Sequence, residues 1–110
     1  MVIRVGVIGG GQLARMMIPA ALRLGVEIRV LAEAPRSSAA LAATAVGDYR
    51  DARTVLDFAS DVDVVTFDHE HVPQPVLAAL FEADAVVRPG PAALRFAQDK
   101  LDMRARLAEL

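Results

Sequence analysis

Cysteine is absent from the 110 residues. That removes disulfides, thiol nucleophiles and thiolate metal sites together, and it fits a reducing compartment. There is no excess of base either. The formal net charge is −2, the isoelectric point is about 5.6, and scattered arginines form no stripe for nucleic acid. No run reaches the roughly 18 apolar residues that a membrane span needs. Arg4 and Arg15 interrupt the apolar start, and Gln12 stands where a signal peptide would be greasy. No Lys-Ser or Lys-Thr pair follows the glycines, so there is no P-loop. Serine, threonine and tyrosine lack a base-and-orienter arrangement, which leaves nucleophilic catalysis without support. What remains is a cytoplasmic domain whose 55% hydrophobic content suits one compact core.

The chain is organised around Gly9-Gly10-Gly11-Gln12-Leu13-Ala14. A Val/Ile-rich run over residues 2–8 reads as a strand buried on both faces. It stops at three glycines, and apolar positions Leu13, Met16, Met17, Ala20, Ala21 and Leu24 then follow helical spacing. Glycine lets a chain turn tightly and bring its N–H groups close to a ligand. A helix start adds unpaired N–H groups and the positive end of a dipole. The combination reads as an anion site, most often one for phosphate.

Pro19 is awkward inside that helix, and Gly25 is its natural stop. Residues 27–32 form a second strand. Ser37 or Ser38 would cap a short helix through Ala43, and residues 44–46 are a brief third strand ended by Gly47-Asp48. Asp51 fits the N-cap of a helix carrying Val55, Leu56 and Ala59. Residues 63–67 are a fourth strand, and Pro73 and Pro75 frame a helix ending near Glu82. Residues 85–88 read as a fifth strand, stopped by Pro89-Gly90-Pro91. A short helix over 92–97 follows, then one capped by Asp99 with Leu101, Leu107 and Leu110. It has no stop signal, which suggests a chain that continues into another domain.

The expected fold is α/β: a Rossmann-like, doubly wound parallel sheet of about five strands flanked by helices. Its first and fourth strands lie side by side, and ligands bind in the crevice at their carboxyl ends. The loops at 9–12, 68–71 and 88–91 should therefore meet there.

The glycine stretch matches the alanine form of the dinucleotide fingerprint, and Glu33 stands 22 residues past Gly11, near the spacing for gripping a nicotinamide ribose. Gln12 and the acidic loop across the crevice count against that reading. Asp68-His69-Glu70-His71 holds two acids and both histidines. If extended, Asp68 and Glu70 point one way and the histidines the other. A carboxylate accepts two hydroxyl donors, as a ribose diol offers. Two histidines without a third ligand are weak support for a metal. Gln98-Asp99-Lys100 reads on its own as a charged helix start, although Lys100 sits where the dipole disfavours a cation.

Three stretches together resemble the 5-(carboxyamino)imidazole ribonucleotide synthetase family. The glycine stretch with Arg15-Met16 is similar to its G-x-G-Q-L-G-R-M opening. Thr66-Phe67-Asp68-His69-Glu70-His71-Val72-Pro73 is similar to its T-F-E-x-E-H/N-V-P segment. Pro89 and Pro91 followed by Gln98-Asp99-Lys100 resemble its P-x-P…Q-D-R/K junction. The resemblance implies that residues 1–98 are the pre-ATP-grasp, substrate-binding domain and that 99–110 begin the helix into an ATP-grasp domain. It implies an ATP-dependent ligase of purine biosynthesis that carboxylates 5-aminoimidazole ribonucleotide with bicarbonate, passing through carboxyphosphate and giving ADP and phosphate.

On that resemblance Gly10, Gly11, Gln12 and Leu13 line the ribonucleotide site, and Asp68 or Glu70 holds the ribose. Lys100 reaches ATP, while Mg2+ is held by later domains. No catalytic or metal-binding residue is expected within these 110 residues, which alone should be inactive. A homodimer is also implied. Ala14 and Asp68 depart from the family's usual Gly and Glu. The competing readings are a nicotinamide-binding module of a dehydrogenase and a regulatory or assembly domain.

Overall fold

A computed structural model describes residues 2–36, 39, 43–88, 104 and 107–109. The elements run β1 (Arg4–Ile8), α1 (Gln12–Leu24), β2 (Glu27–Ala32), β3 (Ala43–Val46), α2 (Ala52–Ala59), β4 (Val64–Phe67) and α3 (Gln74–Glu82). The strands form one parallel sheet in the order β3-β2-β1-β4. β1 and β4 are neighbours, with Val5 opposite Val64 and Ile8 opposite Phe67. The winding therefore reverses where the sequence places the crevice.

Four strands are found where about five are expected. Residues 85–88 contribute a single parallel bridge, Val65 to Val87, made by the Val65 N–H to Val86 O and the Arg88 N–H to Val65 O. The segment is too short for a ladder, yet it sits in the fifth strand's place beside β4. β3 begins at Ala43, which pairs with Val30, so that residue is strand and not the end of a helix. Of the rest of the Ser37/Ser38 helix only Ala39 is described, and it is a turn. Pro89-Gly90-Pro91, the helix over 92–97, Gln98, Asp99 and Lys100 lie outside the described residues. Residues 104 and 107–109 are helical.

Local chemistry explains the helix limits. Asp51 caps α2 by accepting the N–H of Arg53 and the Thr54 hydroxyl. Pro75 falls in the first turn of α3, where no N–H is needed. Gly25 ends α1 in the left-handed conformation at φ 70°. Pro19 lies inside α1 on an exposed side and removes one N–H from the ladder without ending the helix.

The two faces of the sheet are packed unequally. Ile8, Leu31, Val65 and Phe67 point to the face covered by α2 and α3, where they meet Val55, Phe58, Val76, Leu77 and Leu80. Val7, Val30 and Ala32 point to the other face, against Ala14 of α1 and Ala39. The alternation along β1, Val7 one way and Ile8 the other, is what a strand buried on both faces requires. Small residues on the α1 side let that helix lie close, which brings its first turn down onto the end of β4.

Candidate functional site

The carboxyl ends of β1 and β4 carry the glycine turn and Asp68. Two backbone bonds continue the sheet one step further: the Gly9 N–H to Leu31 O and the Asp68 N–H to Ile8 O, each 2.9 Å. Gly9 then turns at φ +107°, a conformation that side chains rarely adopt. Space forbids one too. A Cβ there would meet Asp68 Cβ and His69 Cδ2 at 2.9 Å. A Cβ on Gly11 would overlap Asp68 Oδ2. The turn is glycine because residues 68 and 69 press on it.

α1 starts from Gly11, whose carbonyl accepts the first helical bond from the Arg15 N–H at 3.1 Å. Gln12, Leu13 and Ala14 precede that bond and have no acceptor within the helix. No side chain of the turn caps them. Instead Asp68 Oδ1 accepts the Ala14 N–H at 3.2 Å from across the crevice, 54 residues away in sequence. The sequence expects an anion at this helix start, and the anion present is the protein's own carboxylate. It complements the dipole and satisfies one donor. Gln12 and Leu13 remain exposed beside it.

The 68–71 loop does not alternate as an extended strand would. The ladder ends at Phe67, the chain bends, and the His71 N–H folds back onto His69 Nδ1 at 3.1 Å. Asp68 and His69 therefore both lie against the glycine turn, while Glu70 is exposed beside His71, 3.9 Å from its Nε2. Val72, 1% exposed, anchors the loop's far end in the core. His69 also packs at a tilt against Tyr49, with ring centroids 4.6 Å apart, and stacks on His71 at 5.2 Å. Burial, and then the neighbouring His71, lower its pKa below the ordinary histidine value, against the pull of Glu33, Asp68 and Glu70.

Of the residues singled out from sequence, Gly10, Gly11, Gln12, Leu13 and Asp68 are brought to one rim. Glu70 is on the same loop but further out, and Lys100 lies outside the described residues. Sequence reasoning passed over Tyr49. Its signal was available: Gly47-Asp48 marks the end of a strand, and in a parallel sheet the residue after each strand end reaches the same rim. Among the described residues no group of three or more His, Asp or Glu could hold a metal ion, and no helix is long and apolar enough to cross a membrane. A cleft of about 350 Å³ between β2, β3 and α2 lies away from this rim, and its Arg29 is already engaged by Glu27 and Asp61.

Three comparisons bear on this arrangement. The profile of the ribonucleotide synthetase preATP-grasp domain matches residues 2–98. The N5-carboxyaminoimidazole ribonucleotide synthase of Corynebacterium ammoniagenes is 52% identical over 108 residues, which is 96% of this chain and 26% of that protein. The chain thus spans about a quarter of the length of the curated relatives it matches. The crystal structure of the synthetase from Thermotoga maritima superposes with a TM-score of 0.87 at 33% identity, over 98% of this chain and 31% of that one. The Aspergillus clavatus synthase, solved with ADP and 5-aminoimidazole ribonucleotide, does so at 0.86 and 31% identity, over 98% and 29%.

Proposed function

Because the chain belongs to the ribonucleotide synthetase preATP-grasp domain family, we propose that its crevice binds the ribose of 5-aminoimidazole ribonucleotide. We propose further that it is the N-terminal part of an ATP-dependent ligase that carboxylates this ribonucleotide with bicarbonate. The observation that carries the reading is Asp68. One oxygen is fixed by the Ala14 N–H and the other lies over Gly11, so the carboxylate is held in place before any ligand arrives. An oriented carboxylate on an open rim is an acceptor for a pair of sugar hydroxyls. Gly10 and Gly11 form the floor under it, and Gln12 and Leu13 form the adjoining edge.

The same feature argues against a dinucleotide. A diphosphate at this helix start would have to face the Asp68 carboxylate in place of a free dipole, and like charges repel. Asp68 is accordingly the ribose ligand in this reading, and Glu70 lies further out. The ribonucleotide's phosphate points away from the glycine turn. Lys100 reaches ATP, Mg2+ and bicarbonate are held by the remainder of a longer, cytoplasmic, homodimeric protein, and this chain's own part is to bind and orient. Relatives solved with ADP or ATP support the use of that nucleotide.

Thermal-shift titration of the longer protein decides between ligands. 5-Aminoimidazole ribonucleotide should raise the melting temperature in a concentration-dependent way, and NAD should not. Stabilisation by NAD alone would overturn the proposal.

A further inference from the structure

His69 is half-buried, and groups on several sides constrain it. Its ring lies between Tyr49, tilted 58° at 4.6 Å, and His71, stacked at 30° and 5.2 Å. The Arg50 guanidinium covers the Tyr49 ring at 4.3 Å. The Cδ2–Nε2 edge abuts the place where a Cβ on Gly9 would sit, at 2.9 and 3.1 Å, and Asp68 Cβ abuts the same place at 2.9 Å. Nδ1 accepts the His71 N–H, so the ring's single proton is on Nε2. That nitrogen is buried and has no hydrogen-bond partner among the described residues. A phenyl ring would fill the same space without an unmatched donor. What imidazole adds is the acceptor at Nδ1 and the capacity to take a second proton.

We propose that His69 is a positioning residue that props the Asp68 carboxylate over the glycine turn as the neutral imidazole and releases it once protonated. The proposal rests on the reading of Asp68 as the ribose acceptor. A second proton goes to Nδ1, which faces the His71 N–H. Two donors then oppose each other and the bond that folds the loop is lost. The new charge is attracted by Asp68, Glu33 and Glu70, none of which the neutral ring hydrogen-bonds among the described residues. The titratable and charged groups facing the ring are Asp68, Glu70 and His71 from its own loop, Glu33 from the end of β2, and Tyr49 with Arg50 from the turn after β3. Burial and His71 oppose protonation, and the three carboxylates favour it.

The test is the KM for 5-aminoimidazole ribonucleotide and kcat of the full-length enzyme between pH 5.5 and 8. Wild-type KM should rise about tenfold per pH unit below the His69 pKa, as for any site open only to the unprotonated form, with kcat little changed. Any titration of the substrate is common to all variants. His69→Phe keeps the prop and should lose the part of the acid rise that His69 supplies. His69→Ala removes the prop and should raise KM at every pH. His71→Phe should keep an acid limb. A His69→Phe profile superimposable on wild type would overturn the proposal, as would imidazole 15N shifts that place the neutral ring's proton on Nδ1. Asp68→Asn separates the two readings. If it leaves KM unchanged, the ribose role of Asp68 fails. If it raises KM while His69→Phe changes nothing, only the role of His69 fails.

Discussion

The two ends of the sheet use their charged residues differently. At the amino ends of the strands the charges answer one another. Arg4 pairs with Glu27 at 3.4 Å, Arg29 with Glu27 at 3.0 Å and with Asp61, and Asp63 accepts the Arg4 N–H. At the carboxyl ends no arginine or lysine side chain among the described residues answers Asp68. Its carboxylate is held by a backbone N–H, Glu70 stands beside a histidine, and a buried imidazole nitrogen has no partner among the described residues. The glycines repeat the contrast. Gly25 and Gly9 both have positive φ, but nothing lies within 4 Å of a Cβ on Gly25, whereas one on Gly9 meets Asp68 and His69. One end is closed by its own ion pairs. The other carries one exposed pair, Arg50 with Asp48, and a carboxylate that no arginine or lysine side chain among the described residues answers.

The largest expected effect comes from exchanging a methyl between the two glycines. Gly9→Ala combines a backbone conformation costing of order 1–3 kcal/mol with a clash against the loop that carries Asp68. It should lower the unfolding free energy by at least that amount and raise the ribonucleotide KM. Gly25→Ala meets open space and should cost only the left-handed penalty, about 1–2 kcal/mol, with KM unchanged. Urea unfolding and steady-state kinetics on the full-length protein measure both. Equal losses in the two variants would remove the distinction between crowded and open turns.

The next effect is on pH dependence. Below about pH 6.5 the unfolded chain takes up a proton that the folded His69, with its lowered pKa, refuses. Stability must fall as pH drops through that value and level off below the folded pKa. His69→Phe should remove this contribution. An acid loss of melting temperature identical in wild type and His69→Phe would place its origin elsewhere.

Much of this was legible because it is local. Three glycines after a Val/Ile run, Asp51 ahead of an amphipathic helix, Gly25, and Pro75 one step inside a helix each act within a few residues. Each has its expected place in the fold. The position of the crevice followed from alternating strands and helices, since the reversal of winding is a rule of topology. The orientation of the 68–71 loop was not legible. Strand alternation is a sound guide only while a ladder lasts, and it ends at Phe67. What replaces it is a contact with Ala14 and Gly9, more than fifty residues away, that no local pattern records. The fifth strand failed for a related reason. Ala85-Val86-Val87-Arg88 has strand composition, but a single bridge to Val65 is all that the described residues form.

The smallest expected effect tests the closed end. Arg29→Gln removes a guanidinium bonded to Glu27 and Asp61, whose side chains are 40% and 64% exposed. Exposed ion pairs contribute little, because water screens them and the side chains lose freedom in making them. The stem of Arg29, lying along the cleft with Leu31 and Phe58, packs through carbons that glutamine partly retains. The urea midpoint should therefore move by less than in either glycine variant, and the ribonucleotide KM should stay at the wild-type value. That invariance is the informative part. The amino ends of β1 and β2 are a full strand length from the glycine turn, with a buried apolar core between. A several-fold change in KM would mean that the charge network at one end of the sheet sets the geometry at the other. The two ends would then be a single coupled structure, and the contrast in how they use charge would no longer mark one of them as the binding end.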